Sequence, residues 1–157
     1  MRFPAKIYIR LPGRLKFPFI REGARFYTSR LKHYIKLELE ERKALPKGKE
    51  AEIIKQAEAK ALLSGLDSST KIIALDERGK NFSSLEFARF LRSSLESGPR
   101  LCFIIGGAFG LAEEVLKQAH HRLSLSPLTL NHELALLVLL EQLYRAFTIL
   151  SGEPYHK

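Results

Sequence analysis

The stretch "LCFIIGGAFGLAEEV" (residues 101–115) has the layout of a buried strand, a tight turn and the start of a helix. Its apolar part ends at the pair Gly106 and Gly107, and Gly110 precedes the helix-like part. Backbone N–H groups at such a turn can meet a bound molecule, and glycine permits a close approach. The spacing is not that of a dinucleotide fingerprint, and the Gly-Lys-Ser/Thr ending of a P-loop is missing. The pattern therefore fits a ligand site of another kind, or a strand-end turn without a ligand.

Strand and helix patterns alternate on both sides of this turn. Strands are predicted at residues 6–11, 34–41, 71–76, 100–107 and from 122, with the last one broken at Pro127. Five helices are predicted. The first begins at Ile20, the second is at 50–64, and the third follows a capping box that starts at Ser83. The last two are at 111–120 and 132–150. This alternation predicts an α/β sandwich with a mostly parallel sheet.

Length and composition limit the kind of protein. A chain of 157 residues fits one domain, residues 1–157, and 45% hydrophobic with 27% charged residues is typical of a globular protein. No stretch approaches the ~20 apolar residues of a membrane span, and the N-terminus lacks a secretory signal, so we expect a cytoplasmic location without membrane contact. The single cysteine, Cys102, is expected in the core. The Cys, His and acidic residues lack zinc-like spacing, so no metal is expected.

The positive charge is concentrated near the N-terminus. Residues 1–36 hold ten Lys and Arg side chains and one acid, Glu22, whereas the other 121 residues hold sixteen of each sign. The net charge of +9 therefore resides in this segment, and helical spacing brings Arg21, Arg25 and Lys32 onto one face. Such a localised field favours a polyanionic partner, with nucleic acid ahead of a simple solubility role.

The last predicted helix carries more apolar surface than a surface helix needs. Its segment "LALLVLL" (residues 134–140) is apolar on every face for about two turns. Burial against a second copy of the chain, in a symmetric homodimer, would explain the excess. Burial as a central helix within one subunit explains it nearly as well.

Four motifs resemble a known family. They are "LDERGKNFSSLEFA" (75–88), "FIIGGAFGL" (103–111), "LSLSPLTLNHEL" (123–134) and "EQLYRAFTILSGEPYHK" (141–157). Together they are similar to the bacterial 23S ribosomal RNA pseudouridine N3-methyltransferases, minimal members of the SPOUT class, and the resemblance runs nearly the full length. It implies a homodimer with a C-terminal trefoil knot, whereas chain-topology rules alone predict an unknotted sheet.

The resemblance also implies a cofactor and its site. S-adenosylmethionine would be held by the ends of two predicted strands and by the loop before the last helix, at Leu75, Gly106, Gly107, Leu125, Ser126, Pro127, Leu128, Thr129 and Leu130. Two positions depart from the family pattern. Asn131 replaces a proline, so we expect a less rigid loop, and Leu136 replaces an arginine, which puts one RNA, cofactor or subunit contact in doubt.

By the same resemblance, the catalytic residues lie at the C-terminus. Arg145 would stabilise the deprotonated pseudouridine ring, Tyr155 would stack on or hydrogen-bond to the base, and His156 would accept the N3 proton or contact phosphate. A structural alternative is an ion pair of Arg145 with Glu141, four residues earlier. Cations expected to contact 23S rRNA in the assembled ribosome are Arg14, Lys16, Arg21, Arg25 and Lys157.

Two other classes of function remain open at this point. A non-enzymatic RNA-binding module would use the same basic face without methyl transfer. A small-molecule α/β enzyme with a phosphate-bearing cofactor is a weaker alternative and predicts no salt-sensitive RNA affinity.

Overall fold

The computed structural model describes residues 2–157 and contains one parallel sheet of five strands. The strands are β1 (Lys6–Pro12), β2 (Lys36–Arg42), β3 (Lys71–Asn81), β4 (Arg100–Ile104) and β5 (His121–Ser124). The helices are α1 (Pro18–Leu31), α2 (Ala51–Leu63), α3 (Ser84–Ser97), α4 (Glu113–Gln118) and α5 (His132–Leu150). The sheet order is β2-β1-β4-β3-β5, and every pairing is parallel, which confirms the predicted α/β class.

Helices cover both faces of the sheet because parallel strands need crossover connections. Strand β4 shows the two faces: Leu101 and Phe103 pack with α1, α3 and α5, whereas Cys102 and Ile104 pack with α2 and α4. Cys102 is fully buried, as predicted, and burial raises the pKa of its thiol to about 12. None of the helices within residues 2–157 is long and apolar enough to cross a membrane.

Strand β3 is longer than its sequence pattern indicates. The sequence predicts a strand at residues 71–76, but β3 continues to Asn81 with a register shift between Leu75 and Lys80. Residues 76–79 form an excursion, after which Lys80 and Asn81 pair with Leu123 and Ser124 of β5. Tertiary pairing with β5 therefore outweighs the local turn-like composition.

Other predicted boundaries are also wrong, and β4 ends at Ile104 instead of Gly107. Strand β5 ends at Ser124, three residues before Pro127, because the Ser124 hydroxyl donates to the carbonyl of Ser126 and Asn81 donates to Ser124. Helix α4 begins at Glu113 and ends at Gln118, since residues 106–111 are taken up by the glycine turn. By contrast, α5 has the predicted bounds.

Helix α5 divides its apolar run between the interior and the surface. Leu136, Leu139 and Leu140 are fully buried in the core. Leu134 is 41% exposed, and the other three residues of the run are partly buried. Burial within one subunit accounts for only part of the apolar excess.

Candidate functional site

A cleft of about 560 Å³ opens where β3, β4 and β5 end. Its walls come from residues 75–78 of the β3 excursion, from residues 105–111 after β4, and from the loop after β5. The other lining residues are His132 and Ala135 at the start of α5, Lys55 of α2, Leu116 of α4 and Leu123 of β5. The carboxyl ends of parallel strands are where α/β proteins commonly bind ligands.

The cleft gathers the residues that the family resemblance assigns to the methyl donor. Eight of those nine residues line it, and only Pro127, which is exposed, does not. The eight are Leu75, Gly106, Gly107, Leu125, Ser126, Leu128, Thr129 and Leu130. Their role toward a donor stays a prediction, but the structure brings residues far apart in sequence to one place.

The glycines of the turn are explained by contacts within the chain itself. A Cβ at Gly106 would lie 2.7 Å from the carbonyl carbon of Gly110, and a Cβ at Gly107 would lie 2.6 Å from Oε2 of Glu58. Gly110 has φ +79°, and its N–H donates to the carbonyl of Gly107 at 3.1 Å. These glycines therefore serve the folding of the turn, as the alternative of a strand-end turn expects, and they also line the cleft.

A carboxylate from α2 supports this turn from behind. Glu58 is partly buried, and its Oε1 is buried without a hydrogen-bond partner in residues 2–157. Burial raises the pKa of Glu58, and the nearby N–H of Gly107 partly opposes that rise. The group is therefore electrostatically unfavourable in its charged form.

Side chains at the rim tie the walls of the cleft together. The Thr129 hydroxyl donates to Oε2 of Glu77 at 2.7 Å and so connects the loop after β5 to the β3 excursion. Leu128 and Phe109 are exposed apolar side chains at the mouth. The lining thus combines apolar side chains, backbone polar groups and charged residues of both signs.

The three predicted catalytic residues form a second cluster, centred on Glu141. Arg145 Nη2 donates to Glu141 Oε2 at 2.8 Å, and the Tyr155 hydroxyl donates to the same oxygen at 2.8 Å. Arg145 Nη1 lies 3.1 Å from His156 Nδ1, and its guanidinium lies 4.8 Å from the centre of the Tyr155 ring. The C-terminal tail therefore packs back onto α5.

Two side chains of this cluster have raised pKa values. Hydrogen bonding to Glu141 raises the pKa of Arg145, so the guanidinium is cationic. Burial is the main cause that raises the pKa of Tyr155 to about 12, and the hydrogen bond to Glu141 is the second. The Tyr155 hydroxyl therefore keeps its proton at neutral pH. The expected pair of Arg145 with Glu141 exists, and Glu141 also binds the tail.

The cluster and the cleft do not meet within one chain. None of the cluster residues lines the cleft. Ala135 is at the cleft and Arg145 is ten residues further along α5, which corresponds to about 15 Å at 1.5 Å per residue.

The predicted RNA-contacting cations occupy different environments. Arg14, Lys16, Arg25 and Lys157 are exposed. Arg21 donates to the carbonyl of Leu15 at 2.9 Å and pairs with Glu41 at 3.3 Å, so its guanidinium is already engaged. The predicted helix face of Arg21, Arg25 and Lys32 lines a groove whose opposite wall carries Glu38, Glu40 and Glu41 of β2. These acids oppose part of the positive field expected there.

Several residues of the cleft and of the Glu141 cluster were not predicted from the sequence. Asp76, Glu77 and Arg78 belong to the family motif of residues 75–88 but were not predicted as site residues, yet they line the cleft. Their position directly after a buried strand, next to a glycine turn, was the available signal. Glu141 was considered only as a partner of Arg145, and nothing in the sequence pointed to its bond with Tyr155. The described residues show no group of three or more His, Cys, Asp or Glu side chains suited to a metal ion.

Known proteins resemble this chain along almost all of its length. Residues 5–156 match the family described as "Predicted SPOUT methyltransferase". A ribosomal RNA large subunit methyltransferase H from Syntrophotalea carbinolica is 46% identical over 153 residues, covering 96% of this chain and 98% of that protein. One from Clostridioides difficile is 42% identical over 158 residues, covering 96% and 99%.

A solved structure shares the fold. A probable methylase family protein from Haemophilus influenzae superposes with a TM-score of 0.56 at 19% identity, covering 96% of this chain and 70% of that chain. Because the family match and the relatives both extend over nearly the whole sequence, the chain belongs to the SPOUT methyltransferase family.

Proposed function

We propose that the chain transfers a methyl group from S-adenosylmethionine to N3 of a pseudouridine in 23S ribosomal RNA of the assembled ribosome. The observation that carries this proposal is the single cleft lined by eight of the nine predicted donor residues. The similar proteins named ribosomal RNA large subunit methyltransferase H support ribosomal RNA as the substrate class. The location of that substrate supports a cytoplasmic protein.

The cleft suits S-adenosylmethionine in size and chemistry. Its volume of about 560 Å³ lies within the range of about 300–1,000 Å³ found for small-molecule sites. Leu75, Leu125 and Leu130 can cover the faces of an adenine, and backbone groups of the glycine turn can pair with its edge. When bound, S-adenosylmethionine supplies an electrophilic methyl group on a sulfonium.

Positioning and charge stabilisation are the work of the C-terminal cluster. N3 of pseudouridine carries a proton near neutral pH, so a nearby cation that stabilises its conjugate base raises the reactive fraction. Arg145 keeps its charge beside Glu141 and fits that role. Tyr155 keeps its proton and can donate to the base, while His156 next to Arg145 can accept the N3 proton.

A homodimer would bring the two parts of the site together. Cleft and cluster are about 15 Å apart along α5 in one chain, so the cluster of one subunit would have to face the cleft of its partner. Large apolar side chains are exposed on two helices, namely Leu134 on α5 and both Phe19 and Phe26 on α1. A subunit interface that covers such side chains would explain the remaining apolar excess of α5.

The proposal includes the C-terminal trefoil knot of this class within one domain over residues 1–157. Strand β5 pairs with β3 on both sides of the excursion, since Leu123 is the partner of Leu75 and also of Lys80. A Cβ at Gly79 would lie 2.6 Å from the backbone of Arg122, so the excursion passes tightly against β5. This tight crossing is consistent with a chain segment passing through a loop.

The decisive experiment uses ribosomes that lack the modification. The protein is incubated with isotope-labelled S-adenosylmethionine and unmethylated ribosomes, and the modified nucleotide is mapped by mass spectrometry. We expect one label, on N3 of a pseudouridine in 23S rRNA. Label on another nucleotide would refute the position, and no label would refute the activity.

Donor binding separates an enzyme from an RNA-binding module. S-adenosylmethionine at 100 times its Kd should stabilise the folded protein by about 2.7 kcal/mol and raise its Tm. A module without methyl transfer would show no such rise.

A further inference from the structure

Acidic side chains fix the loop between β1 and α1 through its backbone. This loop, "GRLKF" (residues 13–17), is called the basic loop here. The N–H of Leu15 donates to Glu41 Oε2 at 2.8 Å. The N–H groups of Lys16 and Phe17 donate to Glu133 Oε2 at 2.9 Å and Oε1 at 3.1 Å. Both oxygens of Glu133 are therefore used by consecutive residues of the loop.

Glu133 carries its carboxylate in a buried position, which is unusual for a charged side chain. Glu133 is only 1% exposed, and a buried carboxylate needs hydrogen-bond donors as partners. The two loop N–H groups provide them, and they directly precede α1, whose N-cap residue Phe17 has no side-chain cap of its own. A carboxylate at this end of the helix also interacts favourably with the helix dipole.

The same residue is attached to the wall of the cleft. The N–H of Glu133 donates to Oδ1 of Asn131 at 2.9 Å. The residues on either side of Asn131, Leu130 and His132, line the cleft. Glu133 therefore lies between the predicted donor loop and the basic loop. Its carboxylate uses only backbone groups of that loop, so the side chains of Arg14 and Lys16 extend into solvent.

We propose that Glu133 is a positioning residue for RNA docking, which holds the basic loop at a fixed place beside the donor cleft so that Arg14 and Lys16 meet phosphates of the substrate. This inference rests on the proposed function. A loop held at its backbone presents its two cations in one arrangement, and less conformational freedom is then lost when RNA binds.

The test compares Glu133→Gln with Glu96→Gln, which removes the same charge from an exposed site on α3. A glutamine amide accepts one of the two loop N–H groups and opposes the other with its own N–H. We expect the KM for unmethylated ribosomes to rise about tenfold, while kcat and the Kd for S-adenosylmethionine stay within about twofold. The salt dependence of docking should also weaken, by ~0.7–0.9 in slope for each phosphate that the loop no longer neutralises.

The outcomes separate this inference from the proposed function. A folded Glu133→Gln variant with unchanged KM and unchanged salt slope overturns the role of Glu133. An equal rise of KM in Glu96→Gln also overturns it, because the effect is then one of net charge. A wild-type protein that methylates no ribosomal RNA refutes the proposed function itself.

Hydrogen exchange in the wild-type protein tests the attachment without any substitution. The amides of Lys16 and Phe17 should exchange slowly, because both donate to a buried carboxylate. Free exchange of both amides would overturn the proposal even if Glu133→Gln failed to fold.

Discussion

Gly106→Ala tests whether the glycine turn shapes the cleft. The added Cβ would lie 2.7 Å from the carbonyl carbon and 2.9 Å from the carbonyl oxygen of Gly110, and 3.0 Å from the nitrogen of Leu111. Ordinary contacts begin near 3.4 Å, so the turn must open by about 0.7 Å. All three atoms belong to the backbone, and no side chain can rotate away to make room.

The expected cost follows from that displacement. Overpacking of a buried position costs about 1–3 kcal/mol, and a chain of this size loses about 2–4 °C in Tm for each kcal/mol. Gly106 and residues 107–111 also line the cleft, so the same shift should weaken S-adenosylmethionine binding. If one or two backbone hydrogen bonds to the donor are broken, at about 0.5–1.5 kcal/mol each, the Kd rises about tenfold.

The chain offers a matched control in Gly98→Ala. Gly98 has φ −163° and ψ 140°, and a Cβ there would meet nothing within 4 Å. Its stability should stay within about 0.5 kcal/mol of the wild type or rise slightly. Thermal unfolding and calorimetric titration with the donor measure both variants. Equal Tm and equal donor Kd in Gly106→Ala and Gly98→Ala would refute the reasoning.

Three further predictions concern the Glu141 cluster and the partly buried Glu58. Arg145→Ala should lower methylation about 10²-fold, because one charge-stabilising group is lost. Its effect on folding stability should be small, since an i,i+4 pair with Glu141 adds only about 0.3–0.5 kcal/mol. A folded variant with normal turnover contradicts the catalytic role of Arg145. Deletion of residues 154–157 should abolish turnover and leave the donor Kd nearly unchanged in calorimetry, whereas loss of both would make the tail structural. Because burial raises the folded-state pKa of Glu58, its favourable contribution is complete below the unfolded pKa and is lost as pH rises through the folded pKa. Urea unfolding of Glu58→Gln should therefore show a stability gain over wild type that grows from acidic to neutral pH, and a gain independent of pH would contradict it.

Local patterns predicted the elements whose stability depends on local chemistry. Helix α3 begins as expected because the Ser83 hydroxyl accepts the N–H of Glu86 and the Glu86 carboxylate accepts the N–H of Ser83. The excursion of β3 could not be predicted, because residues 76–79 resemble a turn and the strand resumes only through pairing with β5. Local composition carries no information about that partner.

The site divides along the same line. The alternation of strands and helices places the ends of β3, β4 and β5 at one edge, so a cleft there follows from the order of elements. The return of Tyr155 onto Glu141 does not follow from any pattern, because a short terminal tail has no periodicity. The family resemblance, and no feature of the residues alone, selected that tail.

The two departures from the family pattern have opposite consequences. Asn131 has φ −55°, which lies in the range of proline, and its side chain accepts the N–H of Glu133 at the start of α5. The loop before α5 is thus fixed by a helix cap at the position where the family resemblance implies a proline, which argues against the looser loop expected from the sequence. Leu136 is fully buried in the core, so it contributes packing and no charge.

Helix α5 offers few cations for contact with RNA, which makes the cations of the basic loop important for the proposed function. Arg145 is the only arginine after residue 122, and it is engaged with Glu141. With Leu136 buried, the start of α5 presents no arginine toward RNA or donor. Exposed cations near the cleft then come from other elements: Arg78 of the β3 excursion lines the cleft, and the loop that Glu133 attaches to α5 brings Arg14 and Lys16. Replacing both by alanine should therefore weaken ribosome binding more than any single substitution on α5 outside the Glu141 cluster and Glu133.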